Sequence, residues 1–443
     1  TYSMKINDNV GEHIHSTGDY RDSWKVFRIM AEFVEGYQFL NQLENEISVL
    51  GSARFKEGSK YYDLAREFGA LTAKDNFTIL TGGGPGIMEA ANRGAYDVEG
   101  ESVAVNIELP FEQSLNPYIS KSVSMYYFFT RKIILTSPAH AFVYFPGGFG
   151  TLDELFEVVD HMAMGKMCHL PIVLVGSEFW QPVVDFLHKE VCHLSPHLEN
   201  EMKNWKIVDT AQEAYDIVSG HVDVGVRKSC ELAPMSFHGK ESNLDWKIFK
   251  IMAEIVEGLD FLTGIKHNVT VLGTKHMTPD SAYYDDAYKL GKKLGLSKRS
   301  VATGGNKGIA EAVNKGATEV GATSIGLGLE VRGKAVMNSY LSKSMIFKFP
   351  FTRKLIITSP SEAFVFFPGG FGTLHQLFEV LTLIQTEKMP NVPIILFGKN
   401  YWKPLDTFIK AVLRDKLQTI AKGDEMIYTI VDSVEEALEH TQD

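Results

Sequence analysis

The sequence is poor in cysteine and has no long hydrophobic run. Its three cysteines (Cys168, Cys192 and Cys230) are scattered and form no C-x-x-C pair, so we expect neither a disulfide framework nor a metal site. No stretch of about 18 apolar residues is present to form a membrane-spanning helix. The first twenty residues lack the basic-then-apolar order of a secretory signal. These features together predict a cytoplasmic protein without a membrane partner.

Positive charge is also in the minority. The chain has 44 lysine and arginine residues against 55 aspartate and glutamate residues, which gives a formal net charge of −11. We find no basic stripe in the sequence, and an acidic surface repels nucleic-acid phosphates, so we expect no nucleic-acid partner. A small anionic ligand remains compatible with this composition, because one local site is enough to bind it.

What the chain does contain is an internal repeat. Adding 222 to a residue number in the first half gives its counterpart in the second half, as for Trp24 and Trp246. Between residues 129 and 152 the two copies are identical at 19 of 24 positions. Such self-similarity indicates the duplication and fusion of one unit. It predicts one domain over residues 1–222 and a second over residues 223–443.

The order of hydrophobic segments within one copy predicts an α/β fold. Short β-rich runs alternate with stretches that are compatible with helices. Strands that alternate with helices form a parallel sheet covered on both faces, so we expect two tandem Rossmann-like, doubly wound domains. Ligands of such sheets bind at the carboxyl ends of the strands. The predicted strands of the first copy are residues 47–50, 77–80, 103–107, 141–145 and 171–175.

Two glycine-rich turns, TGGGPGIME from Thr81 and PGGFGTLDE from Pro146, follow predicted strands in the first copy. Each turn enters a helix, where backbone amides can face an anion. Either turn alone could be architectural, but together they favour a phosphate site. Neither completes G-x-G-x-x-G or G-K-[ST], which favours a mononucleotide or sugar phosphate as the ligand. The predicted phosphate and substrate contacts are Gly51, Ser52, Gly83, Gly84, Gly86, Met88, Gly147, Gly148, Gly150 and Thr151.

Charged residues close to the second turn are candidates for chemistry. Glu154 lies in the first turn of the helix that follows, where a carboxylate either complements the helix dipole or acts on a ribose or a water molecule. Arg131 and Lys132 precede the same strand by one helix. They either supply positive charge near the pocket or are solvated surface residues.

Three motifs together carry a family resemblance. GGGPGIMEAANRGA, the Arg-Lys pair and PGGFGTLDE occur in this order, and they resemble the LOG family of cytokinin riboside 5′-monophosphate phosphoribohydrolases, which are often mislabelled lysine decarboxylases. The resemblance implies hydrolysis of the N-glycosidic bond of a nucleoside 5′-monophosphate, such as AMP or a cytokinin riboside monophosphate. The products would be a free base and ribose 5-phosphate.

The same resemblance implies roles for individual residues. It matches Arg131 and Glu154 to the family's catalytic arginine and glutamate, with Lys132 as the other half of the Arg-Lys pair. It matches Gly148 to Thr151 to the phosphate-binding turn, and it places Glu112 near a substrate-contacting acid. No metal or organic cofactor is implied, and the sequence has no motif for pyridoxal phosphate.

The second copy departs from the first at several of these positions. Glutamine is nearly isosteric with glutamate but carries no charge, so we predict a competent site in the first copy and a degenerate, structural or regulatory site in the second. Alternatively, both copies bind a nucleotide without hydrolysis and the protein is a sensor. The changes are Gly84 to Asn306, Pro85 to Lys307, Met88 to Ala310, Asp153 to His375 and Glu154 to Gln376.

The resemblance also bears on association. Members of the LOG family are typically homodimers with substrate pockets at the subunit interface. The fused copies are therefore expected to form an intrachain pseudo-dimer, which could pair again into a homo-oligomer.

Overall fold

Each half of the chain is built on a seven-stranded sheet. The computed structural model describes residues 20–108, 115–221 and 244–441. The strands of the first half are β1 (Glu46–Leu50), β2 (Thr78–Thr81), β3 (Ser102–Ile107), β4 (Lys121–Met125), β5 (Ala141–Tyr144), β6 (Ile172–Val175) and β7 (Trp205–Val208). Those of the second half are β8 (Asn268–Leu272), β9 (Ser300–Thr303), β10 (Ser324–Leu329), β11 (Lys343–Phe347), β12 (Ser361–Phe366), β13 (Ile394–Phe397) and β14 (Tyr428–Val431).

The two sheets have the same topology. The strand order is β4-β3-β2-β1-β5-β6-β7 in the first half and β11-β10-β9-β8-β12-β13-β14 in the second. All twelve neighbouring strand pairs are parallel. The strand order changes direction between β1 and β5. This is the switch point at which doubly wound sheets bind ligands.

Helices connect the strands in both halves. In the first half they are α1 (Tyr20–Leu40), α2 (Lys60–Lys74), α3 (Ile87–Tyr96), α4 (Phe128–Thr136), α5 (Phe149–Ala163), α6 (Ser177–Phe186), α7 (Cys192–Leu194), α8 (Leu198–Glu201) and α9 (Ala211–His221). In the second half they are α10 (Leu244–Phe261), α11 (Ala282–Leu296), α12 (Ile309–Glu319), α13 (Pro350–Thr358), α14 (Phe371–Gln385), α15 (Lys399–Phe408) and α16 (Val434–His440). π-helical segments extend α6 over Leu187–Val191 and α15 over Ile409–Lys416, and 3-10 turns form at Met202–Asn204 and Asp424–Met426.

The predicted fold class is confirmed, and the five predicted strands of the first copy form within one or two residues of their expected bounds. Two strands, β4 and β7, were not predicted from the sequence. Both lie at the edges of the sheet, and their residues are only partly buried, with several exposed positions. An edge strand that is half exposed lacks the continuous apolar run by which a central parallel strand is recognised.

The first sheet is covered by helices on both faces. Helices α2, α3 and α9 cover one face, where Phe68, Ile87 and Val218 are fully buried against strand residues. Helices α1, α4, α5 and α6 cover the other face. The core on this second face is continuous with the corresponding core of the second half. The two halves therefore share one hydrophobic core, while each keeps an outer core of its own.

The shared core is centred on α5 and its counterpart α14. Phe156 stacks on its own counterpart, Phe378, with ring centroids 5.5 Å apart and an angle of 9° between the rings. Phe149 contacts Phe378 at 6.1 Å, and Phe371 contacts Phe156 at 6.5 Å. These reciprocal contacts show an approximate twofold arrangement of the halves. Each fully buried phenylalanine contributes roughly 1.5–3 kcal/mol, so the interface is a major part of the stability of the fold.

The prediction of no membrane-spanning helix and the prediction of no disulfide framework have different outcomes. No helix in the described part of the chain is long and apolar enough to cross a bilayer. Cys192 is a buried free thiol, but Cys168 is disulfide-bonded. The chain thus has more cross-linking than its cysteine spacing predicts, because the spacing of scattered cysteines does not reveal which of them meet in the fold.

Candidate active site

Three loops of the first half meet at the carboxyl edge of the sheet. Gly51 and Ser52 follow β1, the first glycine turn follows β2, and the second glycine turn follows β5. The Ser52 amide donates a hydrogen bond to the carbonyl of Pro146 in the second turn, at 3.0 Å. The Ser52 carbonyl accepts one from the Ile87 amide at the end of the first turn, also at 3.0 Å. The structure therefore brings the predicted phosphate contacts of all three loops together.

The first glycine turn needs glycine for two physical reasons. Gly83 and Gly86 have φ angles of 75° and 73°, a region of backbone conformation that other residues rarely adopt. A Cβ atom at Gly86 would overlap the Ser52 carbonyl. The turn can therefore lie close against the β1 loop at the start of α3, where its Gly83 amide is bonded to the Thr81 hydroxyl and its Ile87 amide to the Ser52 carbonyl.

The second glycine turn is closed by its own threonine. The Thr151 side chain lies against Gly147, where a Cβ atom would overlap the Thr151 hydroxyl. Gly148 has an extended backbone and is the N-cap of α5, a helix of 15 residues. Gly150 and Thr151 lie in the first turn of this helix, and amides at such a helix start are donors of the kind that bind phosphate.

The two candidate catalytic side chains lie beside each other. The Arg131 Nη1 atom is 3.4 Å from the Glu154 Oε1 atom, and both side chains are about nine-tenths buried. The Arg131 Nε atom donates a hydrogen bond to the Val105 carbonyl at 3.1 Å. The guanidinium also lies against Gly82, because a Cβ atom at Gly82 would overlap Arg131 Nη2. The pair is thus held between the first glycine turn and α5.

The environment of Glu154 changes its acidity. Burial raises the pKa of the Glu154 carboxyl above its ordinary value, while the positive charges of Arg131 and Lys132 act in the opposite direction. The Tyr144 hydroxyl donates a hydrogen bond to the Glu154 backbone carbonyl at 3.2 Å, which fixes this turn of the helix. A carboxylate beside an arginine in a water-poor site interacts strongly with any charge that develops near it.

Lys132 points to a different set of partners from those of Arg131. Its side chain is only 1% exposed, and Nζ lies 2.6 Å from Asp153 and 3.2 Å from Glu157. Burial disfavours the charged amine, but these carboxylates and Glu379 raise the pKa of Lys132 above its ordinary value. Its charge is therefore balanced inside the protein, and a direct contact with substrate stays a prediction.

The remaining predicted contacts are Met88 and Glu112. The Met88 sulfur lies close to Gly82, 3.0 Å from the position of a Cβ atom there, so it is beside the Arg131 guanidinium. Glu112 lies outside the described residues.

Two asparagines that sequence reasoning missed support the first glycine turn. The Asn116 side-chain amide donates hydrogen bonds to the Gly83 and Gly84 carbonyls at 3.2 Å and to Asn92 Oδ1 at 3.1 Å. Both asparagine side chains are buried. The second copy repeats these bonds with Asn338 and Asn314. Identity between the copies is the sequence signal that could have revealed them.

The second half completes the surroundings of the first site. Its Thr419 carbonyl and Ile420 side chain face Gly148, at 2.8 Å and 3.3 Å from the position of a Cβ atom there. Reciprocally, Leu198 of the first half faces Gly370 at 3.1 Å, measured in the same way. Each second glycine turn is therefore covered by the other half of the chain.

Comparison of the sequence with those of known proteins identifies its family. The sequence model described as "Possible lysine decarboxylase" matches residues 88–218 and 310–441, which are together 263 of the 443 residues. A cytokinin riboside 5′-monophosphate phosphoribohydrolase of Rhodococcoides fascians is 25% identical over 144 residues, which are 32% of this chain and 73% of that protein.

Two further proteins are similar to this chain. The cytokinin riboside 5′-monophosphate phosphoribohydrolase LOG of Oryza sativa subsp. japonica is 28% identical over 145 residues, which are 32% of this chain and 59% of that protein. The aligned segment thus spans less than two thirds of the rice protein. A molybdenum cofactor binding protein of Rippkaea orientalis has 18% sequence identity and a TM-score of 0.33, over 41% of this chain and 98% of that chain. Because the family match falls in both halves and covers more than half of the residues, this chain belongs to the LOG family, the family described as possible lysine decarboxylase, and contains two tandem copies of it.

Proposed function

We propose that the first half hydrolyses the N-glycosidic bond of a nucleoside 5′-monophosphate to a free base and ribose 5-phosphate. The observation that carries the proposal is the position of Glu154, a buried carboxylate 3.4 Å from Arg131 at the junction of two glycine turns. The names of the relatives from Rhodococcoides fascians and rice support the same reaction class. AMP is the simplest substrate, and a cytokinin riboside monophosphate is the other member of the class.

The second glycine turn supplies the binding end for the phosphate. The amides at the start of α5 and the Thr151 hydroxyl are donors of the kind that bind a phosphate dianion. Arg131 adds a positive charge within reach of the same region. In this arrangement the 5′-phosphate anchors the substrate, and the ribose lies next to Glu154.

The chemistry follows from the charge that cleavage creates. When the bond between C1′ and the base nitrogen breaks, its electron pair leaves with the base, and positive charge develops on the ribose ring. The Glu154 carboxylate stabilises that charge and accepts a proton from the attacking water, whose oxygen forms the new bond to C1′. The proton that Glu154 takes from the water passes on to the departing base, so the carboxylate is regenerated and water is the only co-reactant.

This mechanism uses the ionised form of Glu154. Burial raises the pKa of this carboxyl, and the positive charges of Arg131 and Lys132 oppose that shift and favour the ionised form. Binding of a phosphate dianion close by would raise the pKa further. Arg131 therefore has two roles in the proposal, which are to hold the substrate and to keep Glu154 charged.

The family description as a possible lysine decarboxylase has less support from the residues. The lysine of the Arg-Lys pair is balanced by Asp153 and Glu157 in the interior. An amine that carries a Schiff base must instead be open to its partner and lose its proton readily. The pKa of Lys132 is raised, which is the opposite of what that chemistry needs.

Base release from a panel of nucleoside 5′-monophosphates tests the proposal. The comparison is between the native chain, Glu154→Gln, and the reciprocal change Gln376→Glu in the second copy. We expect Glu154→Gln to lower the rate of base release by at least about 10²-fold, because the charge is removed and the shape is kept. Gln376→Glu is expected to keep the native rate. A rate of base release above the native rate in Gln376→Glu would show that the second copy lost its activity through the change at position 376.

Two outcomes would contradict the proposal. If Glu154→Gln releases base at the native rate, the carboxylate is not the catalytic group. If no monophosphate is cleaved by the native chain but one raises its melting temperature, the protein is a nucleotide sensor and not a hydrolase.

A further inference from the structure

The second half contains a cavity of about 430 Å³ at the carboxyl edge of its sheet. Its wall includes Gly304 and the 370–373 turn, which are counterparts of the glycine turns in the first half, and residues such as His197 and Leu198 from the other half of the chain. The volume is within the range of about 300–1,000 Å³ that is usual for small-molecule sites. The second half therefore has a cavity of ligand size at the counterpart of the first half's candidate site.

The side chains that line this cavity carry an excess of positive charge. Lys275, Lys334 and Arg353 face it, and Asp160 is the one carboxylate residue in its lining. A fourth cation, Lys354, is already paired with glutamates of both halves. In the described part of the chain, no carboxylate oxygen lies within 4 Å of the first three cationic groups.

Arg353 is the clearest example of a cationic side chain in this cavity that lacks a carboxylate as its direct ion-pair partner. Its Nε atom donates a hydrogen bond to the Leu327 carbonyl at 2.6 Å, which repeats the bond of Arg131 in the first half. Burial lowers the pKa of Arg353 to about 10, which leaves it charged near neutral pH. Gln376 occupies the position that corresponds to Glu154, the carboxylate partner of Arg131. Asp160 acts electrostatically on this partly buried guanidinium but forms no direct ion pair with it, and an anion in the cavity would compensate the remaining charge.

Most of the charge changes between the copies at this site add positive charge, with Arg54 to His276 as the exception. At the positions of Ala53, Glu112 and Glu154, the second copy has Lys275, Lys334 and Gln376. The first change adds a positive charge, the second reverses a negative one, and the third removes a negative one. These three changes add four units of positive charge, and the change from Arg54 to His276 in the same lining removes one.

We propose that the cavity of the second half binds a nucleoside diphosphate or triphosphate and does not cleave it. Residues 370–373 keep the phosphate-binding turn, with the Thr373 side chain against Gly369 as in the first half. Lys275 and Lys334 supply the additional charge that a second or third phosphate needs. Gln376 cannot stabilise a ribosyl cation, so the glycosidic bond stays intact. This inference concerns the other half of the chain and does not depend on the proposed hydrolysis.

Isothermal titration calorimetry of the full chain tests the proposal, with AMP, ADP and ATP as the probes. The Glu154→Gln background suppresses the proposed cleavage during the titration. We expect ADP or ATP to bind at one site per chain, at least about tenfold more tightly than AMP binds there. Lys275→Ala, which restores the first-copy residue, is expected to weaken ADP binding about tenfold, and Lys334→Glu is expected to weaken it more.

Matched variants separate this site from the first. Lys403→Glu changes the charge of an exposed lysine that is not in the lining of the cavity, and it should leave ADP binding unchanged. Arg353→Ala should remove ADP binding, whereas Arg131→Ala should retain it. Because Lys275 and Lys334 are exposed, their variants test the charge without endangering the fold.

Three results would overturn the proposal. The first is that ADP and ATP do not bind, and the second is that AMP binds at this site as tightly as ADP. The third is that Lys275→Ala and Lys334→Glu leave the affinity for ADP unchanged. Since the readout is heat of binding and not base release, a failure here is distinct from a failure of the proposed hydrolysis.

Discussion

Lys354 of the second half lies 3.3 Å from the Glu157 carboxylate of the first half, in the interior between the two halves. Lys132 reaches the other oxygen of the same carboxylate at 3.2 Å, and Lys354 also approaches Glu379 at 3.2 Å. These two positive charges hold the pKa of Glu157 well below its usual range against the effect of burial. The buried charges of α5 are therefore balanced only when both halves are present.

We predict that Lys354→Met destabilises the whole chain. The change leaves Glu157 and Glu379 buried without one of their cations, and breaking a buried pair in this way costs about 3–5 kcal/mol. Denaturant unfolding of the full chain measures this loss. The matched control is Lys289→Met, which removes an exposed pair with Asp285 and should cost less than about 1 kcal/mol. Equal losses of the free energy of unfolding in the two variants would show that the pair between the halves contributes no more than an exposed ion pair.

The acid sensitivity of the fold is expected to depend on His161. Burial lowers the pKa of His161 to about 4, whereas an unfolded histidine has a pKa near 6.5. The histidine therefore favours the folded state fully above pH 6.5, and this contribution is lost as the pH falls from 6.5 to 4. The loss amounts to about 3 kcal/mol at most.

The variant His161→Leu tests this, since the counterpart of His161 in the second copy is Leu383. Within the described residues the His161 Nε2 atom has no hydrogen-bond partner, so leucine removes the titration without breaking a bond there. The free energy of unfolding of the variant, relative to the native chain, should rise between pH 6.5 and pH 4. His193→Leu, at an exposed position, should show a flat difference. A flat difference for His161→Leu as well would refute the prediction.

Gly82→Ala is expected to impair base release while the fold survives. The added methyl group overlaps the end of the Arg131 side chain, which can move, so the loss of stability is small. The guanidinium must then shift away from Glu154, and a misplacement of about 1 Å can cost up to about 10²-fold in rate.

The matched variant is Gly304→Ala in the second copy, where the methyl group meets Arg353 at 2.9 Å. It should release base at the native rate, because the proposed chemistry belongs to the first half. Native activity in Gly82→Ala would mean that the position of the Arg131 guanidinium is unimportant.

Much of the fold could be predicted because its signals are local or repeated. The central strands are continuous apolar runs, and the repeat gives each of them twice. The edge strands β4 and β7 could not be predicted, since partly exposed residues have no apolar run. The disulfide at Cys168 could not be predicted either, since the spacing of scattered cysteines does not reveal their pairing.

The candidate site likewise has features that the sequence could predict and features that it could not. The glycine turns are local motifs, and the family resemblance links Arg131 to Glu154, which the structure brings to 3.4 Å. The burial of Lys132 was not predictable, because its partner Asp153 lies on a different helix and its neighbour Lys354 lies in the other half. The hydrogen bonds of Asn116 to the glycine turn also join segments more than 30 residues apart.

The stacked rings of Phe156 and Phe378 have a consequence for how this molecule can evolve. In a dimer of identical chains, every substitution at the twofold axis appears twice, so a favourable change on one side is tied to its effect on the other. Joining the copies in one chain removes this constraint. Asp153 could persist on one side while histidine was selected at position 375 on the other, and natural selection can then adjust the two sites independently.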